Sequence, residues 1–223
     1  DVHLVVGLPM QMLMGEQDSV VKFTRGVKSW IGGHHEWTAD GETYALDVTR
    51  VDLAPQALGA LIDYVFSMDG TPASTDRAQA LKYECAMVSI GSNTVELQVA
   101  KRDEDTKRFN GGQPIGVRWL HNQVDPNTMW TFGEFDEMLR AGDLPQEIEI
   151  ESFLGAWSTQ VLGFINKKWG DAFPRFHKIF IVGGGSLLLR PYLETKFNGK
   201  AVFFDDPILP ISRGLYKSAL RVK

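Results

Sequence analysis

The stretch IFIVGGGS, residues 179–186, determines the fold that we expect for this chain. Four consecutive apolar residues, three of them β-branched, are typical of a short buried strand that ends where the glycines begin. Ser186 can cap a helix that runs to about Lys196, so that backbone N–H groups and the positive end of the helix dipole face the turn. The pattern lacks the Gly-Lys-Ser/Thr of a P-loop and the spaced glycines of a dinucleotide fold.

The three consecutive glycines, residues 183–185, distinguish a binding turn from an ordinary one. Glycine widens the unfolded ensemble, so each glycine costs folding free energy unless the folded turn requires it. An ordinary turn requires at most one or two. We therefore favour a ligand-binding role for this triglycine turn, and an ordinary turn is the alternative.

A second glycine turn lies in the stretch VSIGSNT, residues 88–94, between two apolar runs at residues 85–90 and 94–100. The runs have the composition of strands. A glycine flanked by small hydroxyl side chains lets backbone N–H groups converge on an anion, because no Cβ blocks the approach. An ordinary hairpin turn explains the residues equally well. A third stretch, VVGLP at residues 5–9, indicates only that a buried strand ends in a turn.

Strand and helix patterns alternate along the chain, which predicts the α/β class. Residues 131–134, Thr-Phe-Gly-Glu, have the spacing of a helix capping box, and Pro55 stands where a helix tolerates proline best. We expect a domain boundary in the loop that ends near Asp76. The predicted strands are residues 2–6, 20–27, 43–51, 85–90, 94–100, 178–182 and 201–204, and the predicted helices are residues 55–68, 114–124, 131–140, 148–169, 186–196 and 212–220.

The composition restricts the classes of function. A net charge of −5 and a pI near 5.6 argue against a chain that coats nucleic acid, because phosphate binding needs a basic surface. Basic residues cluster within 101–108, but residues 103–105 among them are acidic, so a solvated hairpin tip is favoured over a phosphate patch. The single cysteine, Cys85, excludes an internal disulfide and fits a reducing cytoplasm. No apolar stretch reaches the ~18–20 residues of a membrane span.

Other reactive side chains give weaker signals. Adjacent His34 and His35 would point to opposite sides of a strand, so a loop or a polymer contact is favoured over metal ligation. No Gly-x-Ser-x-Gly elbow is present and Cys85 lies in an apolar strand, which argues against a hydrolase triad or a thiol nucleophile. Trp30 and Trp37 flank a Gly-Gly loop, where an interface hot spot and core packing explain them equally well.

Taken together and in order, the turns resemble those of the ParM/StbA-type prokaryotic actin-like proteins, within the actin, sugar-kinase and heat-shock-chaperone superfamily. The resemblance extends over essentially the whole chain and rests on residues 4–9, 51–60, 89–94, 182–186 and 205–217. It implies an actin-like α/β fold, with two domains of mixed sheet, flanking helices and a nucleotide cleft between them. Residues 1–75 would form the remainder of the first domain, to which residues 207–223 return, and residues 76–206 would form the second domain.

The resemblance also implies a site for ATP or ADP with Mg²⁺. Gln56 matches the position from which the family orients the attacking water, and a neutral amide can hold that water but cannot ionise it. Without the resemblance, Gln56 would be an exposed residue at a helix start. The matched positions that would contact the nucleotide are Ser89, Gly91, Ser92, Asn93 and Thr94 at the phosphates, and Gly183, Gly184, Gly185 and Ser186 at the adenosine.

Two acidic residues of the second domain lie in the region that approaches the ribose in relatives. They are Glu134 and Asp136, and capping and surface roles account for them equally well. The resemblance gives no further residue as a protein ligand to the metal.

Two departures from the family pattern affect the expected catalysis. Ser89 stands where the family has an Asp that helps to hold magnesium and its waters, and a serine brings no charge, although a neighbouring group can compensate. The family's first phosphate loop, an Asp-x-Gly hairpin, is not found in the chain. Because the buried-looking strand at residues 2–6 needs neighbours to cover it, we expect that such a segment precedes Asp1.

The resemblance implies a cytoplasmic, ATP-dependent filament protein that segregates plasmid or other DNA through a DNA-bound adaptor, without contacting nucleic acid or membrane directly. The complete protein would be an ATPase. The alternative, motivated by Ser89, is a nucleotide-binding cytoskeletal scaffold with little or no hydrolysis. A third interpretation, a small-molecule kinase of the same superfamily, requires a catalytic Asp before a glycine-rich turn, and we find no candidate.

Overall fold

The computed structural model describes residues 1–101, 104–197 and 199–221. Arg102 and Asp103, which belong to the predicted hairpin tip, lie outside the described residues, as do the last two residues of the segment predicted to return to the first domain. The described chain forms two mixed β-sheets, and helices cover both faces of the larger one. The α/β class predicted from the sequence is confirmed.

The smaller sheet has β3 in its centre, with β1 parallel to it on one side and β2 antiparallel on the other. Asp40 and Gly41 form a two-residue loop between β2 and β3, and both have positive φ, as a type I′ turn requires. The elements of this part are β1 (Val2–Leu8), α1 (Met10–Leu13), α2 (Gln17–Ile31), β2 (Gly33–Ala39) and β3 (Glu42–Pro55).

The larger sheet follows the order β6-β5-β4-β8-β9, and β7 also pairs with β5. Its strands are β4 (Cys85–Ile90), β5 (Val95–Lys101), β6 (Glu104–Asp105), β7 (Gly111–Gln113), β8 (Ile179–Val182) and β9 (Ala201–Phe203). Strands β4, β8 and β9 are parallel, and β5 is antiparallel to β4. The carboxyl ends of β4 and β8 therefore meet at one edge of the sheet, and a glycine turn follows each of them.

The remaining helices surround the larger sheet and link it to the smaller one. They are α3 (Leu58–Val65), α4 (Thr75–Ala78), α5 (Val117–Val124), α6 (Phe132–Ala141), α7 (Ile150–Trp169), α8 (Gly185–Phe197) and α9 (Pro210–Arg221). Short 3₁₀ segments occupy Gln79–Lys82, Lys107–Phe109 and Gly170–Arg175.

Each face of the larger sheet has its own apolar core, because the buried central strands point alternate side chains to both faces. Ile90 of β4 belongs to the core that includes Trp157 of α7. Met87 of the same strand belongs to the core that includes Leu61 of α3. Thus α3, which precedes the proposed second domain in sequence, is buried against that domain's sheet, and the boundaries at residues 75 and 206 remain predictions.

The last helix crosses α3 with the two backbones in contact, because Gly59 and Gly214 carry no side chain at the crossing. The Lys217 Nζ donates to the Asp63 Oδ1 at 2.6 Å, and the Arg213 Nη2 donates to the Oδ2 at 3.2 Å. Lys217 and Asp63 are both buried, so each charge depends on its partner for compensation. The crossing holds α9 against β1 and fixes the start of α3.

The predicted strand at residues 20–27 is wrong, because this segment lies inside α2. Its β-branched residues are typical of strands, but Val20, Thr24 and Val27 recur at the spacing of a helix. The segment that holds the two adjacent histidines forms strand β2, so the loop interpretation is wrong, and the polymer contact stays a prediction.

The predicted helix start at Pro55 is also wrong, because α3 begins at Leu58 and ends at Val65. Pro55 is the last residue of β3 and pairs with Leu8 of β1. The Gln56 N–H then donates to the Leu8 oxygen at 3.0 Å and extends the pairing by one residue. A proline suits a strand end as well as a helix start, since neither position needs its missing N–H.

The capping box at the start of α6 is confirmed. The Thr131 Oγ1 accepts from the Glu134 N–H, and the Glu134 carboxylate accepts from the Thr131 N–H at 2.7 Å. Both hydrogen bonds satisfy backbone donors that a helix start would otherwise leave unpaired. The capping role anticipated for Glu134 is therefore the one that the structure shows.

Candidate functional site

A cleft of about 440 Å³ lies beyond the carboxyl ends of β4 and β8. The hairpin turn (residues 91–94) and the triglycine turn (residues 183–185) both contribute to its wall, as do α6 and the start of α8. The lining residues are Ser92, Val117, Phe132, Asp136, Leu139, Arg140, Gly184, Gly185, Leu187, Leu188 and Ile208. Two of the turns that the sequence nominates for ligand binding thus meet at one cleft.

The triglycine turn needs its glycines for two different reasons. Gly183 has a φ of +89°, which L side chains rarely adopt, and a methyl group there would overlap the carbonyl group of Ile90. A methyl group at Gly185 would lie 2.5 Å from the Ile90 Cγ2 and 3.0 Å from Trp157. No atom of the described residues lies within 4 Å of the place that a Cβ at Gly184 would occupy. Gly183 and Gly185 therefore allow close packing, whereas Gly184 keeps the cleft open.

The hairpin turn is held from behind by the start of α5. The N–H groups of residues 116–118 donate to the carbonyl oxygens of Asn93, Gly91 and Ser92 at 3.2, 3.0 and 2.7 Å. The Gly91 N–H donates within the turn to the Thr94 oxygen at 2.9 Å. Of the three amides predicted to face the phosphates, only those of Ser92 and Asn93 lack a hydrogen bond among the described residues. These two amides are the donors available to an anion.

Gly116 is a residue that sequence reasoning missed. A Cβ at this position would lie 2.6 Å from the Thr94 nitrogen, so only glycine lets α5 approach the hairpin turn this closely. The close approach is what brings the N–H groups of α5 to the carbonyl oxygens of the turn. The sequence gives a weak signal for it, a glycine one residue before a helix.

Ser89 and Glu96 lie directly opposite each other on β4 and β5, beside the hairpin turn. Glu96 is 1 % exposed, and its Oε2 accepts from the Gln56 Nε2 at 2.7 Å. Its Oε1 has no hydrogen-bond partner among the described residues. Gln56, the predicted catalytic residue, therefore reaches across from the smaller sheet to a buried carboxylate next to the hairpin turn.

Glu96 is the principal residue of the site that sequence reasoning missed. Burial raises the pKa of its carboxyl group, and hydrogen bonds from the Gln56 side chain and the Met10 backbone counteract part of that rise. A carboxylate with a raised pKa is a better proton acceptor. The available signal was a charged residue between Val95 and Leu97 in an otherwise apolar strand, since buried charges need a partner or a function.

Arg118 connects the hairpin turn to the wall of the cleft. Its Nε donates to the Asn93 Oδ1 at 2.9 Å, and its guanidinium lies over the Phe132 ring, 4.4 Å from the ring centre. Asp136, the ribose candidate, lines the cleft and accepts from the Arg140 Nε at 2.8 Å. Arg140 therefore lines the cleft within a salt bridge, whereas Arg118 lies beside the cleft, over the lining residue Phe132, and is hydrogen-bonded only to a neutral amide oxygen within the described residues.

Ser186 does not cap α8, so the predicted cap is wrong. The helix already begins at Gly185, and Ser186 lies in its first turn, where its N–H donates to the Gly183 oxygen at 3.0 Å. Ser186 is buried and is not among the residues that line the cleft. Its predicted contact with adenosine remains a prediction.

The connection between β9 and α9 supports the triglycine turn from the other side. The Gly183 N–H donates to the Pro207 oxygen at 2.7 Å, and Ile208 lines the cleft. The segment that returns toward the smaller sheet thus forms one wall of the site.

The other reactive side chains lie outside this site. Burial raises the pKa of the Cys85 thiol to about 11, which keeps it protonated and a poor nucleophile. The His34 Nδ1 bonds the Asp47 Oδ1 at 2.8 Å, whereas the His35 Nε2 bonds the Ile31 oxygen at 2.6 Å, so the two rings serve separate partners. Among the described residues, no group of three or more His, Cys, Asp and Glu side chains could hold a metal ion. None of the described helices is both long and apolar enough to span a bilayer.

The core-packing alternative for the two tryptophans is wrong. Trp30 is 81 % exposed at the end of α2, and Trp37 is 48 % exposed on β2, where it stacks on Tyr44 with ring centres 5.8 Å apart. The interface alternative is therefore the one that remains.

The arrangement of two sheets, a crossing pair of helices and a cleft at the strand ends is the actin-like fold. The archaeal actin homolog Ta0583 shares it with a TM-score of 0.74 and 19% identity over 99% of this chain and 72% of that chain. The actin-like protein Alp7A has a TM-score of 0.77 and 12% identity over 98% and 66% of the two chains. A ParM protein in a 15-stranded filament from Clostridium botulinum has a TM-score of 0.69 and 15% identity, over 98% of this chain and 66% of that chain.

Because these identities are low, the likeness establishes the fold alone. The predicted actin-like fold is confirmed. Ta0583 has also been solved in complex with ADP, with a TM-score of 0.72 and 19% identity over 99% of this chain and 74% of that chain. No family model matches the sequence. No curated protein sequence matches it either.

Proposed function

We propose that this chain binds ATP or ADP in the cleft, and that the complete protein assembles into ATP-dependent filaments in the cytoplasm. The observation that carries the proposal is the cleft itself, where the hairpin turn and the triglycine turn meet and Gly184 leaves space at the wall. An apolar lining with a few convergent polar groups suits a nucleoside, and two available backbone amides suit its phosphates. Ta0583, which has the same fold, was solved with ADP.

Different residues of the site would bind the nucleotide and hydrolyse it. The open position at Gly184 and the apolar wall would accept the adenosine, and the Ser92 and Asn93 amides would bind the phosphates. Gln56 donates through Nε2 to Glu96, which leaves its amide oxygen to hold the attacking water. Glu96 would accept the proton of that water, because a buried carboxylate is a stronger base than a neutral amide.

The residues beside the hairpin turn fit a Mg²⁺ ion, because they include one carboxylate that could help to hold it. Magnesium in nucleotide sites is held by one or two carboxylates together with substrate phosphates and water, and when bound it neutralises phosphate charge. Glu96 offers a buried oxygen without a partner among the described residues, directly opposite Ser89. Glu96 would therefore bind a water of the Mg²⁺ ion, a role to which Ser89 brings no charge.

A scaffold that hydrolyses ATP slowly or not at all is the second candidate function. The observation that favours it is Ser89, an uncharged residue whose strand position faces the only carboxylate identified at the hairpin among the described residues. With one carboxylate in place of two, the metal and the water would be held less firmly. The two candidates predict the same binding and different rates of phosphate release.

The exposed helix α2 would provide a contact with a second copy of the chain. It has no buried residue, it exposes Phe23 and Trp30, and it carries the cations Lys22, Arg25 and Lys28. The whole chain has a net charge of −5, so a basic apolar helix is complementary to the surface of another copy. A contact between two different surfaces of the same chain propagates into a filament unless it closes into a ring. Plasmid or other DNA, reached through an adaptor, would be the cargo.

A sedimentation assay tests the proposal. The protein is centrifuged under three conditions: with ATP and Mg²⁺, with ADP and Mg²⁺, and in the absence of nucleotide. We expect ATP-dependent pelleting, and phosphate release measured in parallel distinguishes the hydrolysing filament from the scaffold. The variant Trp30→Ala should stay in the supernatant while it retains nucleotide affinity. Tyr216→Ala, at an exposed aromatic residue of α9, serves as the control. Failure to pellet under every nucleotide condition would overturn the filament proposal.

A further inference from the structure

We infer that Arg118 is a phosphate ligand of this site and reduces its dependence on a divalent cation. The inference rests on the proposed nucleotide site and assigns to Arg118 part of the charge neutralisation that Ser89 cannot support. It concerns a residue that no motif in the sequence singles out, at the second position of α5.

The position of Arg118 is fixed by the backbone of the hairpin turn. Its own N–H donates to the Ser92 oxygen at 2.7 Å, and its Nε donates to the Asn93 Oδ1 at 2.9 Å. Arg118 thus bonds Ser92 and Asn93, the two residues whose backbone amides are available to an anion. A ligand bound to those amides would therefore lie next to the residues that Arg118 contacts.

The orientation of the guanidinium is restricted from the other side by an aromatic ring. The guanidinium carbon lies 4.4 Å from the centre of the Phe132 ring, and Phe132 lines the cleft. A guanidinium held between an amide and a ring has already lost much of its rotamer freedom, so less entropy is lost when it binds.

The charge of Arg118 has no carboxylate partner among the described residues, and its Nε is the group that bonds Asn93. Its two terminal nitrogens can therefore form the paired hydrogen bonds that a guanidinium makes to phosphate. Arg140 lines the cleft but is already bonded to Asp136 at 2.8 Å. The two arginines therefore differ in whether their charge is compensated by a carboxylate within the described residues.

The electrostatic balance at the hairpin turn follows from the residues present. Ser89 brings no charge, Glu96 points its Oε2 toward Gln56, and Arg118 brings a positive charge to the tip. A site with an additional cation and one carboxylate fewer attracts phosphate more strongly in the absence of metal. We therefore expect the protein to bind nucleotide appreciably when a chelator such as EDTA has removed the divalent cations.

The experiment is calorimetric titration of the full chain with ATP, ADP and adenosine, each in Mg²⁺ and in EDTA. The variants are Arg118→Gln, Arg118→Lys and the control Arg190→Gln, at an arginine that also lies over an aromatic ring but does not line the cleft. Thermal melts of each variant show whether it is folded. We expect Arg118→Gln to weaken ATP binding by about tenfold or more, to weaken ADP binding less and to leave adenosine unchanged. The loss for ATP should be larger in EDTA, and Arg118→Lys should recover part of it. Arg190→Gln should change ATP affinity by less than about threefold, because it breaks only an exposed ion pair with Glu194.

Several results would overturn the inference. Equal losses for ATP and adenosine in Arg118→Gln, or no loss at all, would show that Arg118 only supports the hairpin turn. Wild-type binding of adenosine with no gain from phosphates would remove the phosphate role and preserve the adenosine half of the site. If the wild type binds none of the three ligands, the proposed nucleotide function fails and the role of Arg118 fails with it.

Discussion

The two glycine turns meet at one cleft, yet their glycines are required for different reasons. In the triglycine turn, Gly183 and Gly185 are needed because the turn packs against Ile90, which lies just before the hairpin turn. In the hairpin turn, the contact with α5 depends on Gly116, and the reactive groups are side chains on the flanking strands. In the proposed site, one turn would therefore shape the binding surface and the other would position the reactive side chains.

The difference teaches that the number of glycines in a turn is a poor measure of its role in binding. Two of the three consecutive glycines serve packing, which any buried turn can require. The informative glycine is Gly184, whose missing side chain borders open space in the cleft. Substitutions at these glycines and at Glu96 and Ser89 should separate packing, chemistry and binding.

The largest expected effect is on folding. Gly183→Ala forces an L residue into a left-handed conformation, at about 1–2 kcal/mol, and crowds the Ile90 carbonyl, at about 1–3 kcal/mol. Urea denaturation should show a loss of roughly 3 kcal/mol in the free energy of unfolding, or no folded protein. The matched change Gly184→Ala should alter it by less than about 0.5 kcal/mol. Equal losses in the two variants would contradict the distinction between packed and open glycines.

The next effect is on hydrolysis. Glu96→Gln keeps the shape of the side chain and the bond to Gln56 but removes the proton acceptor, so ATP turnover should fall by about 100-fold. Adenosine affinity in the cleft should change little, because Glu96 does not line it. The measurement is phosphate release at saturating ATP, with Glu134→Gln as a control at a capping carboxylate. An unchanged rate would assign the chemistry elsewhere.

The same variant has an expected pH signature in stability. Because burial raises the pKa of Glu96 in the folded state, the folded chain binds more protons than the unfolded chain between the two pKa values. The wild type therefore loses stability as the pH rises through that interval, and Glu96→Gln does not. The Tm of Glu96→Gln should exceed the wild-type Tm above the raised pKa of the folded state and converge with it below the ordinary pKa of 4.5. A difference of about 1 kcal/mol corresponds to roughly 2–4 °C.

A smaller effect is expected on binding. Gly184→Val places a side chain in the open space of the cleft and should weaken adenosine and ATP alike by about tenfold, with the melting temperature unchanged. Gly163→Val is the matched control, since Gly163 is an exposed glycine of α7 that also has no described atom within 4 Å of a Cβ. Equal affinities in the two variants would mean that the cleft does not bind the nucleoside.

Much of the larger sheet could be predicted from the sequence because its central strands are buried on both faces. Strand β8 is a continuous apolar run that stops at glycine, which is typical of a strand covered by helices on either side. Helix α2 was misassigned because none of its residues is buried, so apolar residues such as Val21 and Phe23 also occupy exposed positions and blur the helical period. The start of α3 was misplaced because Pro55 is compatible with both kinds of element.

The candidate site could be predicted only where a contiguous motif carries it. Ser92 and Gly184 lie in such motifs, and the structure brings both to the cleft. Glu96 and Arg118 act through contacts that the sequence does not encode locally. The first depends on the register of β4 with β5, which places it opposite Ser89, and the second depends on how α5 docks on the hairpin turn.

The smallest expected effect tests whether the hairpin turn has one carboxylate too few. Ser89→Asp places a second carboxylate opposite Glu96, where cross-strand Cβ atoms lie about 4.5–5.5 Å apart. Two like charges at that distance repel each other, so the Tm should fall without metal and recover when Mg²⁺ and ATP are added together. Phosphate release should rise by a few-fold at most, because Glu96 would already provide the proton acceptor in the proposed site.

Ser89→Asn, which has the same shape as the aspartate variant and no charge, is the control. A rise in phosphate release confined to Ser89→Asp would show that the wild type hydrolyses slowly for lack of charge, as the scaffold function requires. No change in either variant would mean that Glu96 and Arg118 already complete the charge balance of the site. The hairpin turn would then be a hydrolytic site with its charges placed on other strands and helices, and the substitution at residue 89 would carry no functional cost.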